Sequence, residues 1–207
     1  MLYPAGAIFL FYKPCTNVDK QNIYLHLIIN YLSHPETNLG KMAQLATEKI
    51  RENDLFKTFL TNHEGEAIDK TVSRLETEIS PKISCTDCGN CCKSLMVNIT
   101  RPEADAAAAH LGMSSADFDT RFVEKSEDGP LMIMNAIPCH FLENNACSIY
   151  EHRFAGCREF PALHLPEVNK RLFTIFMHYD RCPIIFNVME SLKVEMGFDA
   201  STMQCNL

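Results

Sequence analysis

The sequence predicts a small cysteine-rich α+β domain, with a short hairpin and several helices, preceded by a helical N-terminal segment. Three observations predict it. Apolar residues recur at three- and four-residue steps across residues 42–79, a T-x-x-E capping box opens another helix at Thr100, and two apolar stretches flank the turn pair Asn144-Asn145.

Residues 1–41 read as an N-terminal extension. The apolar patches AGAIFLFY and NIYLHLIINYL are interrupted by Pro4, Pro14 and Pro35. A genuine extension packed on the domain and an over-long reading frame whose natural start is Met42 both fit this pattern. Residues 42–79 form a helical segment. Met42, Leu45, Ala46, Ile50, Phe56, Phe59 and Leu60 make one stripe, His63–Glu66 interrupts it, and Ile68, Val72, Leu75 and Ile79 make a second, ended by Pro81.

The domain proper is expected over residues 80–197, with 198–207 as a tail. Thr100, Pro102 and Glu103 start a helix that Gly112 stops, and Ser114 or Ser115 caps a short one through Phe122. Leu131–Asn135 reads as a strand, and Cys139–Leu142 with Cys147–Tyr150 as a hairpin. A last helix starts at Pro183, buries Ile184, Val188, Leu192 and Met196, and ends at Gly197.

Composition narrows the function. The chain of 207 residues is 46% hydrophobic and 22% charged, ordinary for a globular domain. A formal charge of −7 argues against nucleic acid or an anionic membrane as partner. Ten cysteines need a compartment. The first apolar stretch has no basic residue before it and falls well short of the roughly 20 residues that span a bilayer. The expectation is a cytoplasmic protein with reduced thiols, and thiols grouped this tightly bind metal.

The strongest signal is Cys85-Thr86-Asp87-Cys88-Gly89-Asn90-Cys91-Cys92. A C-x-x-C step bends the backbone so that two sulfurs reach one ion, about 2.3 Å away for zinc. Gly89-Asn90 suits that bend because both residues tolerate positive φ. Three cysteines at x-x spacing resemble the ferredoxin run that clamps an iron–sulfur cluster. Side chains of neighbours diverge, so Cys91-Cys92 points to two sites, a cluster, or one ligand beside a buried thiol.

Cys139, Cys147, Cys157 and Cys182 follow, giving eight candidate thiolates: two four-coordinate sites, or a cluster plus an ion. An odd-length hairpin loop would put Cys139, Phe141, Cys147 and Ile149 on one face, whereas an even loop would split the two cysteines; the apolar pattern favours the odd loop. Cys15 and Cys205 read as ordinary thiols. His140, His152, His164 and His178 read as surface residues or supports of the ligands, and Arg153, Arg158 and Arg181 can offset thiolate charge.

The run 85–92, followed by PCHFLENNACSIYEHRFAGCREFP and CPIIFNVMESLK, is similar to the YkgJ-type cysteine-cluster family, the zinc- or iron-chelating domain. The resemblance covers roughly residues 80–197. It implies that Cys85, Cys88, Cys91, Cys92, Cys139, Cys147, Cys157 and Cys182 are the metal-binding set. Phe154 stands where that pattern would have proline.

The function expected is a metal-binding protein holding zinc, iron or an iron–sulfur cluster, for electron transfer or metal handling. All-thiolate ligation suits each of these, and the C-x-x-C-x-x-C-C run tilts toward iron–sulfur. A flagellin lysine N-methylase resembles the family through the same cysteine block, so a methylase-like or redox enzyme is one alternative. No Gly-rich nucleotide loop supports it. A purely structural zinc protein is the other.

Overall fold

The computed structural model describes residues 32–125 and 132–203. The expectations for residues 1–31, for Leu131 and for Cys15 and Cys205 lie outside the described residues. The fold is α+β, mainly helical with short antiparallel strands.

Its apolar residues gather in two cores. The first is helical. Helices α1 (Leu39–Glu48), α2 (Ile50–Thr61) and α3 (Gly65–Ile79) bring Met42, Phe56, Leu60, Ile68, Val72, Leu75 and Ile79 to one face. Asn38 caps α1, its Oδ1 accepting from Lys41 N at 3.0 Å. The single stripe expected from Met42 to Leu60 is split at Lys49, whose φ of −97° and ψ of 11° leave the helix. From that break the Lys49 ammonium reaches the buried Glu190 carboxylate.

Glu190 belongs to the C-terminal helix, which the sequence groups with the cysteine block. That helix packs on α3 and shares the first core, and every residue from Pro183 to Lys193 is buried. Its two buried charges are possible because they satisfy each other. Lys193 Nζ donates to Glu190, Glu52 and Asn53, each at 2.6 Å, and Tyr179 OH donates to Glu190 at 2.6 Å. The chain before α1 is tied to the same helix: Glu36 N donates to Asn187 Oδ1 and Asn187 Nδ2 donates back to Glu36 O, both at 2.8 Å.

The second core lies between residues 97 and 157. The capping box forms as expected, with Glu103 accepting from Thr100 N and Oγ1, and opens a helix over Arg101–His110; Ser114 caps another over Ser115–Phe122. These pack Ala104, Ala107, Ala108, Phe118 and Phe122 on a three-stranded antiparallel sheet of Asn98–Ile99, Met132–Met134 and Val123–Lys125, the middle strand being Met132–Met134. Among the described residues no helix is long and apolar enough to cross a membrane.

The hairpin differs from expectation. Its strands are Leu142–Glu143 and Ala146–Cys147, pairing Leu142 with Cys147 and Glu143 with Ala146. Asn144 and Asn145 take φ of 49° and 66°, the left-handed pair that a two-residue turn demands. The loop is therefore even, not odd. Cys139 escapes the predicted split because it precedes the ladder, in a turn where Leu142 N donates to its carbonyl at 3.1 Å. Tyr150 likewise leaves the strand for a 3₁₀ turn over Tyr150–His152.

Candidate metal centre

The cysteine run lies on the segment that joins the two cores. Cys85–Cys88 is one helical turn, and Asn90–Ser94 is another. Gly89 separates them with φ of 56°, and its N donates to Cys85 O at 2.9 Å. A Cβ here would stand 3.0 Å from the Asn145 backbone, so the hairpin turn presses directly on the bend. Asn145 Nδ2 also donates to Asp87 O at 3.3 Å. The positive φ expected of Gly89-Asn90 falls on the glycine alone. Asn90 is helical, and its Nδ2 donates to Arg181 O at 2.9 Å, which draws the Cys182 segment toward the run.

The structure brings the eight predicted thiols into one neighbourhood, in two groups. Cys85, Cys88, Cys91 and Cys182 line a small cavity of about 30 Å³, walled by Ile83, Phe160 and Ile184. Cys85 is exposed and Cys182 is buried, so this group runs from solvent to the first core. The second group is Cys92, Cys139, Cys147 and Cys157. Cys139 N donates to Cys92 O at 2.8 Å, and Cys139, Cys147 and Cys157 all pack against the second core. Phe154 caps the helix that carries Cys157, and its ring is buried against Phe141, so the residue standing in place of proline anchors that turn. A larger, open concavity of about 590 Å³ between Asp69, Arg74 and His164 contains no cysteine.

Electrostatics run across the two groups, since Cys91 acts on Cys139 and Cys157 as well as on Cys85 and Cys182. Burial pushes the Cys182 thiol up to about 12 and the Cys157 thiol up to about 11, and the neighbouring thiols add to both shifts. Burial likewise raises Cys85, Cys139 and Cys147. The contact between the Cys91 and Cys92 thiols holds Cys91 below the usual thiol range and Cys92 above it. The apo site thus keeps most of its thiols protonated, and a metal must displace those protons.

Of the arginines singled out by sequence, Arg153 lowers the thiols of Cys85, Cys91, Cys147 and Cys157 by its charge. Arg158 instead bonds the Arg153 carbonyl, and Arg181 sits at the cavity rim 3.7 Å from Asp180. Three of the four histidines find partners of their own. His140 meets Asn135 Oδ1 at 2.7 Å, His152 stacks on His110 and His164 meets Glu159 at 2.8 Å. His178 turns its ring toward Phe160, and burial lowers its pKa.

The order of the eight cysteines, on this geometry, meets an independent comparison: the CxxCxxCC family model, described as a putative zinc- or iron-chelating domain, matches residues 84–182. Residues 84–182 belong to the CxxCxxCC family. No curated protein and no solved structure matches the chain. The CxxCxxCC segment runs from the first cysteine run to Cys182, so its cysteines come from both cores. The donor set fits zinc or iron: eight free thiols, soft and partly shielded from water. Among the described residues, no three His, Cys, Asp or Glu side chains stand at the spacing of a finished coordination shell. The fold of the CxxCxxCC segment gathers the thiols without closing them.

Proposed function

We propose that this is a metal-handling protein with two four-thiolate sites, an outer one on Cys85, Cys88, Cys91 and Cys182 and an inner one on Cys92, Cys139, Cys147 and Cys157. The observation that carries the reading is the cavity that Cys85, Cys88, Cys91 and Cys182 line together, while Cys92 O accepts from Cys139 N and Cys139, Cys147 and Cys157 pack on the second core. The contact of the Cys91 and Cys92 thiols joins the two groups. Four thiols line this cavity, the ligand number of a single tetrahedral ion. Zinc and ferrous iron both suit such sites.

Exposure sets the roles. The inner ligands pack on a core and hold an ion that organises it, while exposed Cys85 lets a partner or chelator reach the outer ion. With iron, the same exposed edge serves electron transfer. Protein purified without oxygen should carry two ions per chain and no acid-labile sulfide. A chromophoric chelator should remove one ion quickly and the other slowly. A single ion, acid-labile sulfide, or one release phase for both ions would overturn the two-site reading.

A further inference from the structure

Cys157 rides on the five-residue helix Ala155–Glu159. None of the five is fully buried, and no side chain at the preceding Phe154 caps them. A single helical turn does not hold itself in water, so its position is set from outside. Phe154 anchors the start of the turn in the second core. Glu103, 52 residues earlier in the chain, reaches its first peptide group: Glu103 Oε1 accepts from Ala155 N. The other oxygen, Oε2, accepts from Thr100 N at 2.8 Å and from Thr100 Oγ1 at 2.7 Å. A capping box needs only one of the two oxygens, and here the second ties that helix to the turn bearing Cys157.

We infer that Glu103 is a positioning residue for Cys157, holding the turn that carries this thiol against the second core, where Cys139 and Cys147 also pack. Ala155 N is one of the donors that a helix start leaves without an internal partner, and a carboxylate is the acceptor best suited to it. Burial would raise the Glu103 carboxyl, but the Ala155 and Thr100 donors outweigh it and hold the carboxyl below its ordinary value. A binding constellation tolerates errors of only about 0.5 Å in its side chains, so a tether on the ligand-bearing turn acts on affinity as well as on folding. The inference rests on the two-site reading, in which Cys157 holds the inner ion.

The test is the Zn²⁺ affinity of the slowly released ion, measured by competition with a chromophoric chelator, beside the melting temperature of the metal-free protein. Glu103→Ala should weaken that affinity by about 10–100-fold, the usual effect of removing a support of a metal ligand, and leave the quickly released ion unchanged. Thr100→Ala is the control. It damages the same capping box but leaves Ala155 N its acceptor, so it should lower the metal-free melting temperature and keep the affinity. Equal affinity in wild type and Glu103→Ala overturns the inference and leaves the two sites standing. Equal weakening by Thr100→Ala and Glu103→Ala also overturns it, making the effect one of helix stability. Should Glu103→Ala fail to fold, Glu103→Asp decides: it keeps the charge on the first turn but is one methylene shorter, so affinity equal to wild type sinks the idea. Wild-type protein that takes up no Zn²⁺, or releases it in one phase, overturns the two-site reading and the inference together.

Discussion

Cys182→Ser separates a metal ligand from a core thiol. Cys182 is 7% exposed and belongs to the first core, yet it lines the cavity with Cys85, Cys88 and Cys91. A metal that bridges Cys85 and Cys182 closes a loop of about 100 residues. In the chain-entropy model such a link disfavours the unfolded state by about 4.7 kcal/mol at 25 °C. In a protein of this size each kcal/mol moves the melting temperature by roughly 2–4 °C, so losing the link should lower it by about 10–20 °C. Without metal, the same substitution exchanges a buried thiol for a hydroxyl and costs only about 1–3 kcal/mol. Cys85→Ser is the companion: its side is exposed, so it removes the link with little effect on packing. Calorimetric melts of wild type and both variants, each saturated with Zn²⁺ and then stripped by chelator, give the comparison. Deficits that match in the loaded and stripped states would show that Cys182 only fills core.

Two further outcomes can be checked. Thermal stability should depend on pH differently in the two metal states, falling only above pH 9.0 without metal and rising from pH 6 to 9 with it. Cys157 and Cys182 are raised to about 11 and 12, so the stability they lend the metal-free fold is complete below the ordinary thiol value of 9.0 and is lost as pH rises toward those values. Zn²⁺ must displace the same protons, so its affinity, and with it the loaded protein's advantage, should grow from pH 6 to 9; melts at each pH test both slopes. Lys193→Met should destabilise by about 3–5 kcal/mol, because it strips a buried carboxylate of a partner. Lys49 and Tyr179 still engage Glu190, which places the effect at the lower end. Burial would raise the Glu190 carboxyl, but Lys193 and Lys49 outweigh it and hold the carboxyl below its ordinary value. Its contribution is therefore present above pH 4.5 and lost as pH falls, and urea melts of stripped and loaded protein should show the same Lys193→Met deficit.

What the sequence could reveal depended on how local the cause was. The capping box at Thr100–Glu103 and the Ser114 cap act within one turn, and both helices start where they were expected. Pro183 opened its helix for the same reason. The hairpin was harder. Two asparagines mark a turn, but they do not say whether both sit at positive φ, and that decides the parity of the loop. The stripe Ile184, Val188, Leu192 and Met196 says nothing of where Glu190 and Lys193 on the same helix end up. Only tertiary contacts with Glu52, Asn53 and Lys49 reveal that both are buried. At the site, the cysteine order was legible from spacing. The contacts that draw the cysteine segments together, Gly89 against Asn145 and Asn90 on Arg181 O, depend on segments far apart in the chain.

The contact of Gly89 with Asn145 limits how freely this motif can travel. The bend holds a left-handed residue whose Cβ position the hairpin backbone already occupies, and Cys92 O accepts from Cys139 N nearby. A synthetic peptide spanning residues 84–95 would keep the C-x-x-C spacing and lose the surface against which it is shaped. Grafting the eight residues 85–92 onto another scaffold would therefore transplant ligands without their template. The smallest transferable unit includes the hairpin, and any side chain introduced at position 89 must be matched by a rebuilt turn at 144–145.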